Sequence, residues 1–354
     1  MSRHGSDDDD EARRARVISL LTVARDWADR SHPRGRDLRV ALRAHSPLSA
    51  EGRELALQRH LETIDRVSPD ELDRFLARGR AHRADEVHVL LAGNVGTAAL
   101  RAIAFALACA PRVTVRPSRR DPALARAIAA VVPEVHLVSC LTPAATHGVH
   151  LYGGDTTLDD LRRLPGRHLH FGSGFGVAVL SDDRGRRDAN AVAEDLVAFD
   201  GAGCISPRVI LAREPFAALE RLHAALSASA VPRGPLTDHD RVALARARTT
   251  LQVVGTWREG PHHALGLDPT PTAPFLLPAL RTALVLPLEV ADASWFSHRK
   301  LTVIGGDGPT ADALAAAAPH ARRLRLGTMQ RPPFDGPVDL RPFPVVVDAP
   351  TPRP

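Results

Sequence analysis

Residues 86–116 read EVHVLLAGNVGTAALRAIAFALACAPRVTVR, and this stretch decides the fold. Glu86–Ala92 is an apolar run of strand length that stops at Gly93, and Thr97–Ala110 is apolar over helical length. Arg112–Val115 returns to β-branched strand texture. Strands that alternate with helices in this way imply right-handed βαβ units and a parallel sheet, hence the α/β class. The alternation continues through a helix at Pro122–Val131, strands at Val135–Val138 and Val149–Tyr152, and a helix at Thr157–Leu164. An extended stretch, His168–Leu180, and a helix, Ala189–Phe199, follow. Upstream, Val17 to Arg83 is helical, with Leu38, Leu42, Leu55, Leu61, Ile64, Leu72, Phe75 and Leu76 at helical spacing. Residues 1–16 predict a disordered tail, because Asp7–Asp10 repel one another and bury nothing.

Near Asp200 the rhythm breaks at FDGAGCISPR. A strand at Val209–Ala212 and a helix at Phe216–Leu226 open a second region. Further strands are expected at Leu251–Val254, Thr282–Leu286 and Leu301–Ile304. Gly255 to Pro278 is rich in Pro, His and Gly and reads as a long irregular loop. The Pro-rich segment from Gly327 reads as a surface wrap.

Composition narrows the classes. A chain of 354 residues, 44% hydrophobic and 25% charged, is globular and long enough for about two domains. Its net charge of +5 comes from 46 basic residues of which Lys300 is the single lysine. The arginines are scattered and aromatics make up only 4%, which argues against a nucleic-acid partner. No apolar run approaches the roughly 20 residues of a membrane span, and MSRHGSDDDDEARRAR has no signal-peptide core. Three cysteines without Cys/His ligand spacing argue against a disulfide scaffold and against a metal site, and they fit a reducing cytoplasm. Seventeen histidines likewise show no spacing that singles out a metal.

In an open parallel sheet, ligands bind at the carboxyl ends of the strands. Those ends read Gly93-Asn94-Val95-Gly96, then Arg116-Pro117-Ser118-Arg119-Arg120, then Gly153-Gly154-Asp155. The second is where a dinucleotide's adenosine ribose sits. Arg116, Ser118, Arg119 and Arg120 offer charge and a hydroxyl but no carboxylate, which favours the 2′-phosphate of NADP over NAD; otherwise they form an exposed basic turn. Cys109 and Cys140 lie in or beside apolar runs and read as packing. Cys204 differs, standing between Gly201-Ala202-Gly203 and a strand opening, where backbone and substrate can approach the sulfur and Arg208 could favour the thiolate. It is either a nucleophile or an inert cysteine at a domain junction.

The run DGAGCISPRVIL resembles the active-site cysteine segment of the aldehyde dehydrogenase superfamily, and more narrowly the LuxC-like acyl-CoA reductases of bacterial luminescence. LAGNV, VTVRPSRRDPALA, HLYGGDTTLDDLRR and RLRLGTMQRPPFDG resemble further segments of that family, in the same order, from about Val87 to Gly336. The resemblance implies a two-domain aldehyde dehydrogenase-like fold with a Rossmann-type cofactor domain. Residues 17–200 would hold the N-terminal helices and nucleotide domain, 201–326 the catalytic domain, and 327–354 the wrapping segment. It also implies Cys204 as nucleophile, Asn94 as oxyanion donor, and Arg116, Ser118, Arg119, Arg120, Gly153 and Gly154 as NADP contacts. The expected activity is NADPH-dependent reduction of a fatty acyl-CoA to the aldehyde through a cysteine thioester, in a cytoplasmic homo-oligomer. The alternatives are an oxidising NAD(P)-dependent aldehyde dehydrogenase and a catalytically silent acyl-binding homologue. CoA, a carrier protein or an acyl-protein ligase partner would supply the acyl group.

Three positions depart from the family pattern. Arg116 stands where the family carries lysine, and Leu280-Arg281-Thr282 lies near its usual ribose-binding glutamate. His170-Phe171-Gly172-Ser173 replaces the Glu-Leu-Gly-Gly of oxidising members. His170 is then either a base that reaches the cysteine or a structural strand histidine. Loss of the glutamate suits a reductase, in which activated water would divert the acyl-enzyme to free acid.

Overall fold

The computed structural model describes residues 4–93, 95–181, 184–271, 276–290, 296 and 300–341. It opens with the helices α1 (His4–Ala28), α2 (Pro33–His45), α3 (Ala50–Leu55) and α4 (Pro69–Arg80). The alternating region follows: β1 (Glu86–Leu90), α5 (Ala98–Cys109), β2 (Arg112–Arg116), α6 (Ala123–Ala129) and β3 (Val135–Leu137). It ends with β4 (Gly148–Tyr152), α7 (Asp155–Leu161) and β5 (Arg167–Phe171). These five strands form one parallel sheet in the order β3-β2-β1-β4-β5. The strand order reverses between β1 and β4, the crevice where such sheets take ligands.

A second sheet contains β6 (Phe175–Val179), β7 (Pro207–Ala212), β8 (Thr256–Gly260), β9 (His263–Leu267), β10 (Thr282–Pro287), β11 (Leu301–Gly305) and β12 (Arg322–Leu324). Its order is β12-β11-β6-β7-β10-β9-β8, parallel except for the β8–β9 pair. The helices α8 (Gly185–Val197) and α9 (Pro215–Ser227) cover one face. On the other lie α10 (Asp238–Val254) and α11 (Pro309–Ala317). No helix among the described residues is long and apolar enough to cross a membrane.

The helix α5 organises the first sheet. It is buried on every side from Ala99 to Cys109, as a helix apolar all round has to be. β1 and β2 lie beneath it, and α1 and α4 lie above. A Cβ on Gly79 would meet the Ala108 carbonyl oxygen at 2.8 Å, so α4 packs backbone to backbone against α5.

Several expectations are corrected. The N-terminal segment is helical from His4, not disordered, because Asp9 pairs with Arg13 at 2.7 Å and Asp10 with Arg80 and Arg83 at 2.8 and 2.9 Å. Opposite charges from α4 and the loop after it neutralise the repulsion expected there. The extended stretch 168–180 is two strands in different sheets, so the change of sheet falls at Gly172–Gly174, well before residue 200. Leu251–Val254 closes α10 instead of forming a strand, and the supposed loop after Gly255 holds the β8–β9 hairpin. Cys140 is exposed after β3, not packed. The segment from Gly327 is built into the interior, with Met329, Gln330, Phe334 and Asp339 buried.

Arg101 explains that last point. It is the one charged residue on buried α5, and its guanidinium donates to the Pro332 and Pro333 carbonyls at 2.8 and 2.9 Å and to Glu62 at 2.6 Å. Arg101→Met removes every one of these donors while keeping the bulk. It is expected to cost about 3–5 kcal/mol in urea denaturation. A loss below about 1 kcal/mol, the scale of a surface pair, would show that the segment is held by other contacts.

Candidate active site

Cys204 sits in the turn that opens β7, and an unusual backbone delivers it there. Phe199 and Asp200 both have φ of 54°, and Gly201 has φ of 70°. Three successive left-handed residues swing the chain from the end of α8 into the turn. Asp200 holds this conformation: it accepts from Arg281 Nε at 2.7 Å and from the Gly234 amide at 2.9 Å. Ser206 N donates to the Gly203 carbonyl at 3.0 Å, which closes the turn around Cys204. The Cys204 carbonyl accepts from Thr302 Oγ1 on β11. Gly174 has to be glycine, because a Cβ there would meet Thr302 Cγ2 at 2.4 Å.

Both sheets contribute to the surroundings. Val95, in the loop after β1, packs with Phe199, and a Cβ on Gly203 would stand 3.8 Å from Val95. The β1 loop therefore meets the cysteine turn; Asn94 itself lies outside the described residues. Tyr152, the only tyrosine, ends β4 with its ring stacked on Phe171 at 4.2 Å. Its hydroxyl is buried with no hydrogen-bond partner among the described residues. Burial above all, together with the charges of Cys109, Asp339 and Cys204, pushes this phenol well above the ordinary tyrosine range.

Asp339 and Arg341 come from the C-terminal segment. Arg341 Nε donates to both Asp339 oxygens at 2.9 Å, and its Nη1 donates to the Ser173 carbonyl at 2.9 Å. The pair thereby clips the Gly172–Gly174 crossover beside the cysteine. Burial first, then the Asp339 charge, pushes the Cys204 thiol up to about 12, and Arg341 pulls in the other direction. Arg208, expected to favour the thiolate, plays no such part. It is held in surroundings that lower its own pKa to about 10 by burial, and its charge is not among those acting on Cys204.

The expected cofactor residues gather at the carboxyl edge of the first sheet. Arg119 and Arg120 are exposed, while Arg116 and Ser118 are half-buried. A Cβ on Gly93 would meet Ser118 Oγ at 2.1 Å, so the ends of β1 and β2 converge. A Cβ on Gly154 would meet nothing within 4 Å, which leaves open space above the start of α7. Asp121 is a carboxylate the sequence reading passed over. It is buried beside Gly96 with Oδ1 unpartnered among the described residues, and burial raises its pKa.

His170 stands apart from these groups. Leu169 and Phe171 face α5, so His168 and His170 point to the opposite, α7 face, where Leu151, the register partner of His170, packs. His170 Nε2 lies 3.1 Å from His168 Nδ1, and His168 Nε2 lies 2.7 Å from the Leu164 carbonyl. Burial and the His168 charge lower its pKa to about 4. The ring is committed to a structural pair on the face away from Tyr152.

Sequence reasoning missed Tyr152, Thr302, Asp339 and Arg341. Tyr152 was findable as a lone tyrosine at a strand's carboxyl end. The other three reach Cys204 from distant strands or loops and leave no local signal.

The two sheets, their order and the cysteine turn between them define an aldehyde dehydrogenase-like fold. The chain is similar to a Mycobacterium tuberculosis aldehyde dehydrogenase solved with NAD+, at TM-score 0.64 and 14% identity, covering 89% of this chain and 78% of the other. A NAD-dependent benzaldehyde dehydrogenase from Corynebacterium glutamicum matches at TM-score 0.63 and 15% identity, covering 89% and 81%. An E. coli NADP dependent enzyme matches at TM-score 0.60 and 12% identity, covering 87% and 77%. No family model matches the sequence, and no curated protein does.

The thiol's electrostatics yield a test. Because only the thiolate reacts, the rate of Cys204 alkylation by iodoacetamide, read by peptide mapping to separate it from exposed Cys140, should rise with pH well beyond 9. Asp339→Asn should accelerate it at pH 8, and Arg341→Gln should slow it. A plateau near pH 7 in the wild type would show a thiolate already formed and refute this assignment.

Proposed function

We propose that the protein reduces an acyl thioester, of the fatty acyl-CoA type, to the aldehyde with NADPH through a thioester on Cys204. The observation that carries this reading is a cysteine on a strained turn between two sheets, whose neighbour Gly203 lies beside Val95 of the loop after β1. The residues at the carboxyl edge fit a dinucleotide: open space above Gly154, and Ser118, Arg119 and Arg120 beyond β2 for a 2′-phosphate. When bound, the reduced nicotinamide supplies the hydride that converts the acyl group to an aldehyde.

The chain's own residues do the rest. Cys204 Sγ attacks the thioester carbonyl, and the Asn94 amide with the Cys204 backbone N–H donates to the developing oxyanion. One such donor is typically worth about 10²–10³ in rate. Collapse breaks the bond to the CoA sulfur, which leaves as a thiolate without strong acid assistance. After reduction, the hemithioacetal on Sγ collapses to aldehyde and regenerates the thiolate. Two groups that could activate water are engaged among the described residues: His170 is tied to His168, and Arg341 engages both oxygens of Asp339.

One observation favours a second reading. A thiol raised to about 12 suits a protein that binds an acyl group without chemistry. Acyl-CoA mixed with the enzyme in the absence of nucleotide separates the two. Intact-mass analysis should show one acyl adduct, on the Cys204 peptide and not on Cys109 or Cys140, discharged by NADPH. Cys204→Ser should abolish it. No adduct and no reduction would establish the binding role, and reduction that survives Cys204→Ser would overturn the thioester on Cys204. Turnover of aldehyde with NAD(P)+ and no CoA would instead establish an oxidising dehydrogenase.

Cofactor preference is tested separately. NADPH should give the higher kcat/KM, and Arg119→Glu should reverse the preference. Equal values, or values unchanged by Arg119→Glu, would remove the argument, and a preference for NADH would give the ribose to buried Asp121, whose Oδ1 has no partner among the described residues.

A further inference from the structure

Glu86 and His88 alternate onto the same face of β1, and His147 immediately precedes β4, whose Gly148 pairs with Val87. One ligand atom from each lies within 4.8 Å of the others. His88 Nε2 is 3.1 Å from His147 Nδ1 and 3.2 Å from Glu86 Oε1. We propose that these three residues bind a divalent transition-metal ion, Zn(II) by their donor chemistry, as a clamp between β1 and β4.

The distances agree with that geometry. Zinc bonds to His nitrogen and carboxylate oxygen run about 2.0–2.2 Å, which sets the edge of a tetrahedral site at roughly 3.3 Å. The two edges that His88 Nε2 makes, to His147 Nδ1 and to Glu86 Oε1, are already nearly that long, and the third lies within 4.8 Å, so closing on an ion is a matter of side-chain rotation. Ala144 N–H donates to His147 Nδ1 at 3.2 Å, which leaves that nitrogen unprotonated, and its lone pair becomes a ligand once the ring turns from the Ala144 amide toward the ion. His88 Nε2 therefore faces two acceptors, a carboxylate and an imidazole nitrogen. One proton on His88 Nε2 can point fully at only one of these two acceptors, whereas an ion in its place binds all three groups at once. Thr114 Oγ1 donates to Glu86 Oε1 at 2.6 Å and fixes the carboxylate, the outer-shell support that metal sites use. The set contains no thiol, and two imidazoles with one carboxylate suit zinc better than magnesium or calcium.

The position assigns the role. All three residues lie at the amino-terminal half of the strands, opposite the carboxyl edge proposed for the nucleotide. The ion would join β1 to the segment before β4, and through Thr114 to β2, and so stabilise the sheet without touching the chemistry. The proposal stands whatever reaction Cys204 performs.

The test uses the full chain without a histidine tag, treated with chelator, dialysed and titrated with ZnCl₂. Calorimetry should show one equivalent bound, and saturating zinc should raise Tm by several degrees. His147→Ala, at a half-buried site where the fold tolerates truncation, should weaken binding by at least tenfold and abolish the Tm rise. Glu86→Gln should do the same. Co(II) in place of zinc should give the visible absorption of a tetrahedral site, and His88→Asn should lose it. No saturable binding, or one-equivalent binding and a Tm rise that survive His147→Ala, would overturn the proposal and leave the cluster a hydrogen-bonded pair.

Discussion

The buried ion pair between Asp200 and Arg281 is the interaction on which the site rests. Two non-glycine residues in left-handed conformation, Phe199 and Asp200, cost of order 1–3 kcal/mol each, and surrounding structure has to over-determine them. Asp200 spends one carboxylate oxygen on Arg281 and the other on the Gly234 amide, while its carbonyl accepts from the Arg281 amide at 2.7 Å. Arg281, at 1% exposure, gives its remaining donors to the Val231 and Pro232 carbonyls. Removing either partner would leave a charge buried and unmatched. The turn that presents Cys204 is rigid for that reason.

Three further clips hold the cysteine between the two sheets. Arg101 ties the C-terminal segment to the first sheet through the Pro332 and Pro333 carbonyls. Asp195 on α8 ties it to the second, accepting from the Gly327 and Met329 amides at 2.7 and 2.9 Å. Arg341 and Asp339 then reach the Gly172–Gly174 crossover. A chain segment that a sequence would assign to the surface thus supplies the two charges that act on the cysteine after burial, Asp339 raising its pKa and Arg341 lowering it. The cost is a thiol held well above the ordinary cysteine range, which any catalytic role has to overcome when substrate or cofactor binds.

Much of the first sheet was legible in the sequence. EVHVLLA, RVTV and VHLY are short, bounded and β-branched, and AIAFALAC is too long and uniformly apolar for anything but a buried helix. Those local signals gave strand, helix, parallel pairing and the carboxyl-end loops. The glycine-flanked position of Cys204 before a strand was also legible there. The errors share one cause, which is long-range charge and packing. Asp9 and Asp10 looked self-repelling because their arginine partners lie on α4 and beyond. Leu251–Val254 has strand-forming residues, but α10 runs through it from a capping box at Thr237, and only Leu251 of that stretch is buried.

The sequence by itself determined the class of fold, because hydrophobic period and turn chemistry are local and survive in one dimension. It also determined which of three cysteines stands on a glycine-flanked strand opening. Only the tertiary structure decided what that cysteine feels. Asp339 lies far along the chain from it, and neither Tyr152 nor Thr302 is its neighbour in sequence. It likewise decided that His170 faces α7 and that Glu86 and His88 converge with His147, which lies 59 residues beyond His88. Electrostatics and ligand geometry depend on distance in space, and a sequence carries only distance along the chain.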